Sequence, residues 1–151
     1  MTDQNLAPVI YNPTLSDVKQ WVVLLVDDEP DNRTIAETVL SFSGAKVYTA
    51  THGVDGLKLL ETLVPSFVLL DLSMPVMDGW EMLKQLRTNS KTQYIPVIAL
   101  TAHAMAGDRE KALEAGFNGY IAKPFRIGTF MSELNSCLHE LAEPTSGQAA
   151  K

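Results

Sequence analysis

The sequence predicts an α/β protein, a doubly wound three-layer sandwich whose five-stranded parallel sheet carries helices on both faces. Three observations lead there. Five short apolar runs recur along the chain: "WVVLLV" from Trp21, "KVYTA" from Lys46, "FVLL" from Phe67, "PVIAL" from Pro96 and "GYIA" from Gly119. Longer segments with apolar residues near the 3.6-residue period alternate with them, so the chain reads as repeated β–α units. The runs are apolar at nearly every position, as strands covered on both faces must be.

The first helix is expected after Pro30, with Ile35, Ala36, Val39 and Phe42 on its inner face and Gly44 as its stop. Val54, Leu57, Leu60 and Val64 give the second helix its apolar face before Pro65. The third opens on Asp78, with Glu81 three residues on to complete a reciprocal cap. Ile127, Phe130, Met131, Leu134, Leu138 and Leu141 line one face of the last. The segment from Ala104 to Ala115 contains Gly107 and few large apolar residues, which predicts low packing energy and mobility. Residues 1–20 are polar, interrupted by Pro8 and Pro13, and read as an N-terminal extension in which Thr14 and Asp17 could cap a short helical turn. Residues 21–142 form the expected domain, and 143–151 a flexible tail without a further output domain.

A chain of 151 residues, 46% apolar and 20% charged, matches one ordinary domain. Its net charge of −6 opposes binding to phosphate backbones, so no direct nucleic-acid role is expected. The single cysteine, Cys137, permits no internal disulfide, suits a reducing compartment and reads as a core filler. No apolar run is long enough for a membrane span and the N-terminus lacks a signal core, so the expected location is cytoplasmic, without membrane insertion.

In doubly wound sheets ligands bind at the carboxyl edge of the strands. The residues that end the strands are Asp27 and Asp28 after the first, Asp71 after the third, Thr101 after the fourth and Lys123 after the fifth. Three carboxylates and one ammonium leave an excess of negative charge that calls for a cation. Oxygen ligands without a histidine or cysteine cluster favour Mg²⁺, with Mn²⁺ as a substitute, and a bound cation then permits the approach of a phosphoryl dianion. Each residue also has an ordinary reading. Asp28 could cap the helix that Pro30 starts, Asp71 could be a turn residue, Thr101 a strand terminus, Lys123 a solvated charge and Tyr120 plain core. Met74, Met77 and Met105 read as gap fillers near the rim, and His52 and His139 as surface residues.

Taken together, "VDDE", "LLDLSMPVMDG", "ALTAHAM" and "GYIAKPF", in that order and each after its own strand, resemble the signature of response-regulator receiver domains over residues 21 to 142. The resemblance implies a flavodoxin-like strand order 2-1-3-4-5 and a phosphoryl group accepted by Asp71 from a histidine kinase or histidine phosphotransfer protein. It further implies direct Mg²⁺ ligation by Asp28 and Asp71, ligation through water by Asp27, and a backbone carbonyl ligand from Ser73. Thr101 and Lys123 would bind phosphoryl oxygens, Thr101 and Tyr120 would form the switch, and Ser73 and His103 would tune the phosphoryl lifetime. Signalling would then pass through the face made by the fourth helix, fifth strand and fifth helix, to a protein effector or, in a homodimer, to a second copy. Such a chain is a signalling switch that catalyses only its own phosphorylation and dephosphorylation. The bond between Lys123 and Pro124 is often cis in such domains.

Two other functions use related chemistry. A hydrolase of the aspartyl-phosphate type shares the strand-ending aspartate, threonine and lysine, but it usually carries a second acid where this chain has Ser73. A docking module that is never phosphorylated would keep the fold alone. A nucleotide-binding module fits least, because "VDDEPDNR" is acidic where a glycine-rich phosphate loop would be needed.

Overall fold

The computed structural model describes residues 17–102 and 107–142. The chain starts with one turn of 3-10 helix, Val18–Gln20, capped by Asp17, whose carboxylate accepts from the Lys19 amide. Asp17 therefore does the capping itself, while Thr14 lies outside the described residues. Five strands and five helices then alternate: β1 (Val22–Val26), α1 (Pro30–Phe42), β2 (Lys46–Ala50), α2 (Gly53–Leu59), β3 (Phe67–Asp71), α3 (Gly79–Thr88), β4 (Val97–Thr101), α4 (Asp108–Ala115), β5 (Gly119–Ala122) and α5 (Ile127–Ala142). All strand pairs are parallel and lie in the order β2-β1-β3-β4-β5.

Alternate residues of each inner strand leave the sheet on opposite faces, which divides the interior into two cores. Val23, Leu25, Leu69, Ile98 and Leu100 pack beneath α1 and α5, against Ala36, Leu40, Phe130, Leu134 and Leu138. Leu24, Val26, Val68, Leu70 and Ala99 face Met82, Leu83, Leu86 and Ala112 of the other helical layer. Trp21 closes the first core edge-on against Phe67, with ring centroids 5.2 Å apart. Val18 also packs there, so the packed unit begins inside the segment read as an extension. Cys137 lies half-buried at the margin of the same core, Met74 is buried in the second core and Met77 packs against it. Met105 lies outside the described residues.

Three helix faces differ from the periodicity. Phe42 is 92% exposed, because the seam of α1 runs through Ala36 and Leu40 and places the helix's last residue on its far side. α2 stops at Leu59, where Leu60 turns back to bond Gly56 O, so Val64 lies beyond the helix and is exposed, as is Val54 at its start. Ile127, in the first turn of α5, is also exposed. Elsewhere the expected punctuation is present: Gly44 takes φ 108° after α1, and the Asp78 carboxylate accepts from the Glu81 amide at 2.9 Å. The edge strand β2 buries fully only Ala50, as its position at the margin of the sheet allows. Of the described helices, none is long and apolar enough to cross a membrane.

Candidate functional site

Parallel register brings the strand ends to one rim. Val26 of β1 pairs with Leu70 of β3, Asp71 with Leu100 of β4, and Thr101 with Ala122 of β5. Residues that follow these pairs therefore meet, although they lie up to 96 positions apart. Asp27 and Asp71 are buried, at 0% and 2% exposure, Thr101 is buried beside them, and Asp28 is half-exposed. The Lys123 amide donates to Thr101 O at 2.7 Å, which sets the lysine next to the threonine. Its ammonium lies 3.1 Å from Asp27 Oδ2, 3.3 Å from Asp71 Oδ1 and 3.5 Å from Glu29 Oε1.

Backbone donors orient the two buried acids. Asp27 Oδ1 accepts from the Glu29 amide at 2.9 Å, and Asp71 Oδ1 from the Ser73 amide at 3.1 Å. Asp28 is no helix cap: the N-cap of α1 is Glu29, which makes no side-chain capping bond. Asp28 instead joins Asp27 and Asp71 in a group whose ligand oxygens all lie within 4.8 Å of one another. The ion pair from Lys123 reaches Asp27 Oδ2 without the direction of a hydrogen bond, leaving that buried oxygen with an unused acceptor site. An unsatisfied carboxylate oxygen inside a three-carboxylate cluster fits a hard, oxygen-seeking divalent cation.

The electrostatics agree. Burial, and then the neighbouring Asp27 charge, push the Asp71 carboxyl up to about 7 despite the ammonium beside it. Burial pulls Lys123 down, but its contacts with Asp27 and Asp71 outweigh that and move it upward, so it stays charged. One lysine cannot neutralise the acids around it.

Tyr120 of β5 lies half-buried against the second core, and its hydroxyl is pushed up by burial and then by Asp108 of α4. Ser73 is placed by its amide, whereas His103 lies outside the described residues. His52, on the exterior before α2, sits 2.9 Å from Thr51 Oγ1. The Lys123-Pro124 bond is cis.

Three contributors escape a reading of strand ends. Glu29, within "VDDE", reaches Lys123; Arg33 donates to Asp27 O at 2.8 Å; and Gly79 starts α3 so close to β3 that an added Cβ would lie 2.3 Å from Asp71 O. Only Glu29 had a local signal, adjacency to the acid pair.

Residues 23–135 match the response regulator receiver domain. This chain belongs to the response regulator receiver family. The receiver is 40% identical over 110 residues to an uncharacterized 14.6 kDa protein of Leptolyngbya boryana, covering 73% of this chain and 84% of that protein. It is 36% identical to the probable transcriptional regulator ycf27 of Cyanophora paradoxa, covering 85% of this chain and about half, 53%, of that relative. Among solved structures it resembles the receiver domain of the sensor histidine kinase PA1611 from Pseudomonas aeruginosa, with TM-score 0.69 and 34% identity over 79% of this chain and 98% of that one. That relative was solved with a magnesium ion coordinated in its active-site cleft. The receiver's acidic well, built from Asp27, Asp28 and Asp71, therefore lies at the strand-end rim of the fold of a two-component signalling switch.

Proposed function

We propose that this receiver takes a phosphoryl group onto Asp71 from the phosphohistidine of a histidine kinase or phosphotransfer protein, in a Mg²⁺-dependent step, and that the acyl phosphate switches binding to a protein partner. The observation that supports this most is the Asp71 carboxylate beside both the Lys123 ammonium, at 3.3 Å, and the acids Asp27 and Asp28. In the reaction a carboxylate oxygen of Asp71 forms the new O–P bond while the P–N bond of the donor breaks. The bonding pair leaves with the imidazole nitrogen, which takes up a proton. Lys123 opposes the charge on the phosphoryl oxygens, and the Thr101 hydroxyl donates to one of them.

Asp28 and Asp71 directly, Asp27 through water and the Ser73 carbonyl would hold the metal, which supplies positive charge where the phosphoryl oxygens sit; Mn²⁺ offers similar chemistry. Movement of Thr101 toward the phosphoryl group draws Tyr120 inward and alters the face of α4, β5 and α5. That face carries a cavity lined by Arg109, Tyr120, Glu133, Cys137 and Glu140, where an effector or a second copy of the chain docks. Ser73 and His103, two residues past Asp71 and Thr101 in the sequence, tune the lifetime of the acyl phosphate. The setting of such a switch is the cytoplasm, and its catalysis is confined to its own phosphorylation and dephosphorylation.

Incubation with acetyl phosphate and Mg²⁺, followed by intact mass measurement, tests the reading. The expected result is a gain of one phosphoryl group, absent with EDTA and in Asp71→Asn. An unmodified wild-type mass with acetyl phosphate and with phosphoramidate would overturn it, and partner binding indifferent to Asp71→Asn would favour a docking module.

A further inference from the structure

Val76 is the one non-glycine residue with positive φ, 68°, among the described residues, and it is 98% exposed. It occupies the centre of a γ-turn, with the Met77 amide donating to Pro75 O at 2.7 Å. That is a strained conformation, and a β-branched residue tolerates it poorly. Strain of this kind persists where the surroundings hold it. Here the β3–α3 loop is closed at its base by the Gly79 amide donating to Leu72 O at 3.1 Å. Its tip is locked by Met77, whose sulfur lies so close to Gly53 of α2 that an added Cβ would meet it at 2.9 Å. Glycine or asparagine would suit the turn better, and the valine recovers nothing by burial within this chain. Beside it, Val54, Pro75 and Met77 line a shallow recess of about 240 Å³ with Gly53. The stem of the same loop carries Asp71 and the Ser73 amide that orients it.

We infer that Val76 is a recognition knob for the protein that donates the phosphoryl group, which presents an apolar socket next to its phosphohistidine. The inference rests on the phosphoacceptor role proposed for Asp71. Because Asp71 is almost fully covered, a donor histidine must enter the well, which presses the donor's surface onto the loops around it. A small phosphoryl donor enters without touching the loop tip. An effector bound only to the α4, β5 and α5 face does not need to reach this loop. The rigid turn presents the side chain already ordered, so docking it costs little conformational entropy.

The test compares two kinds of donor on wild type, Val76→Asn and Val76→Leu. Phosphoramidate is the small donor; the protein donors are autophosphorylated histidine kinases and phosphotransfer proteins encoded in the same genome. Val76→Asn should lower kcat/KM for transfer from the protein donor by about tenfold, chiefly through KM, while labelling by phosphoramidate stays unchanged. Val76→Leu should retain most of the transfer rate, and the melting temperature of Val76→Asn should not fall. Equal transfer from the protein donor to wild type and Val76→Asn overturns the inference, as does a parallel loss with both kinds of donor. So does failure of every protein donor to outpace phosphoramidate on wild type. If phosphoramidate leaves the wild-type chain unmodified, the phosphoacceptor reading itself falls, and the knob falls with it.

Discussion

Asp71 pits two demands on one carboxyl group against each other. The nucleophile role proposed for it requires an ionised carboxylate, yet burial and the adjacent Asp27 raise its pKa to about 7 when no metal is bound. The folded state then holds a proton more tightly than the unfolded chain, where the value is 3.8. Stability conferred by the protonated form is present at low pH and is lost as pH rises toward 7, above which the penalty is complete. Asp71→Asn removes the charge without changing the shape, so in EDTA at pH 8 it should raise unfolding free energy by on the order of 2 kcal/mol, and by less at pH 5. Urea titrations at the two pH values check this; a loss of stability at pH 8 would show that the charged carboxylate is already well compensated without metal. Gly79 acts on the same residue from the other side, because α3 can begin so near the end of β3 only where there is no Cβ. The strand-ending acids are legible in sequence because each closes an apolar run. Gly79 gives no such sign, since its constraint comes from a backbone eight residues away that only folding brings near.

Among the elements, α4 is the least anchored by apolar contact. It buries Ala112 alone and is bounded by Gly107 and Gly116, both in the left-handed region. What secures its C-terminal end is Arg87 of α3, half-buried, which donates to Gly116 O at 2.9 Å, Asn118 Oδ1 at 2.8 Å, Ile95 O at 2.8 Å and Gln93 O at 3.1 Å. Asn118 Oδ1 also receives the Val97 amide at 2.8 Å, so one guanidinium joins α3, the start of β4 and the approach to β5. Burial lowers the pKa of Arg87, and oriented carbonyl oxygens, together with the Asn118 side chain, offset the cost of covering its charge. Lysine has fewer donors and no planar fork. Arg87→Lys should therefore destabilise the domain by about 1–3 kcal/mol, and Arg87→Met by at least as much, in chemical denaturation. A change below about 0.5 kcal/mol in both would mean that water replaces the clasp at no cost. The apolar stripe of α4 is short enough to predict weak packing from sequence, but the polar clasp is not legible there, because its acceptors are backbone oxygens and an asparagine 31 positions on.

At the scale of the whole molecule, the sheet gathers charge that the chain keeps apart. The net charge of −6 is spread over the sequence, yet Asp27, Asp28 and Asp71 converge where, among the described residues, Lys123 and the partly exposed Arg33 lie against them. A divalent cation that binds this well and not the unfolded chain should stabilise the fold by about 2.7 kcal/mol at a concentration one hundred times its dissociation constant. Thermal melts with increasing Mg²⁺ should thus shift upward in wild type and much less in Asp28→Asn, which loses a ligand while its half-exposed position leaves the cores intact. Equal shifts in the two proteins would place the ion elsewhere.

The sequence by itself determined the α/β class, the five strands and the residues that stand at their carboxyl ends, because apolar runs and their polar terminators are local patterns. It overstated the buried faces at Phe42, Val64 and Ile127, since periodicity gives a stripe but not where a helix stops or which part of the stripe meets a neighbour. Only the tertiary structure decided that Asp28 joins the acidic cluster with Asp27 and Asp71 instead of capping α1, that Asp27 Oδ2 is left without a directed partner and that Val76 is held outward in a strained turn. The physical reason is common to all three. Each depends on the distance between groups carried by different strands and loops, and that distance is set when the parallel sheet aligns their ends.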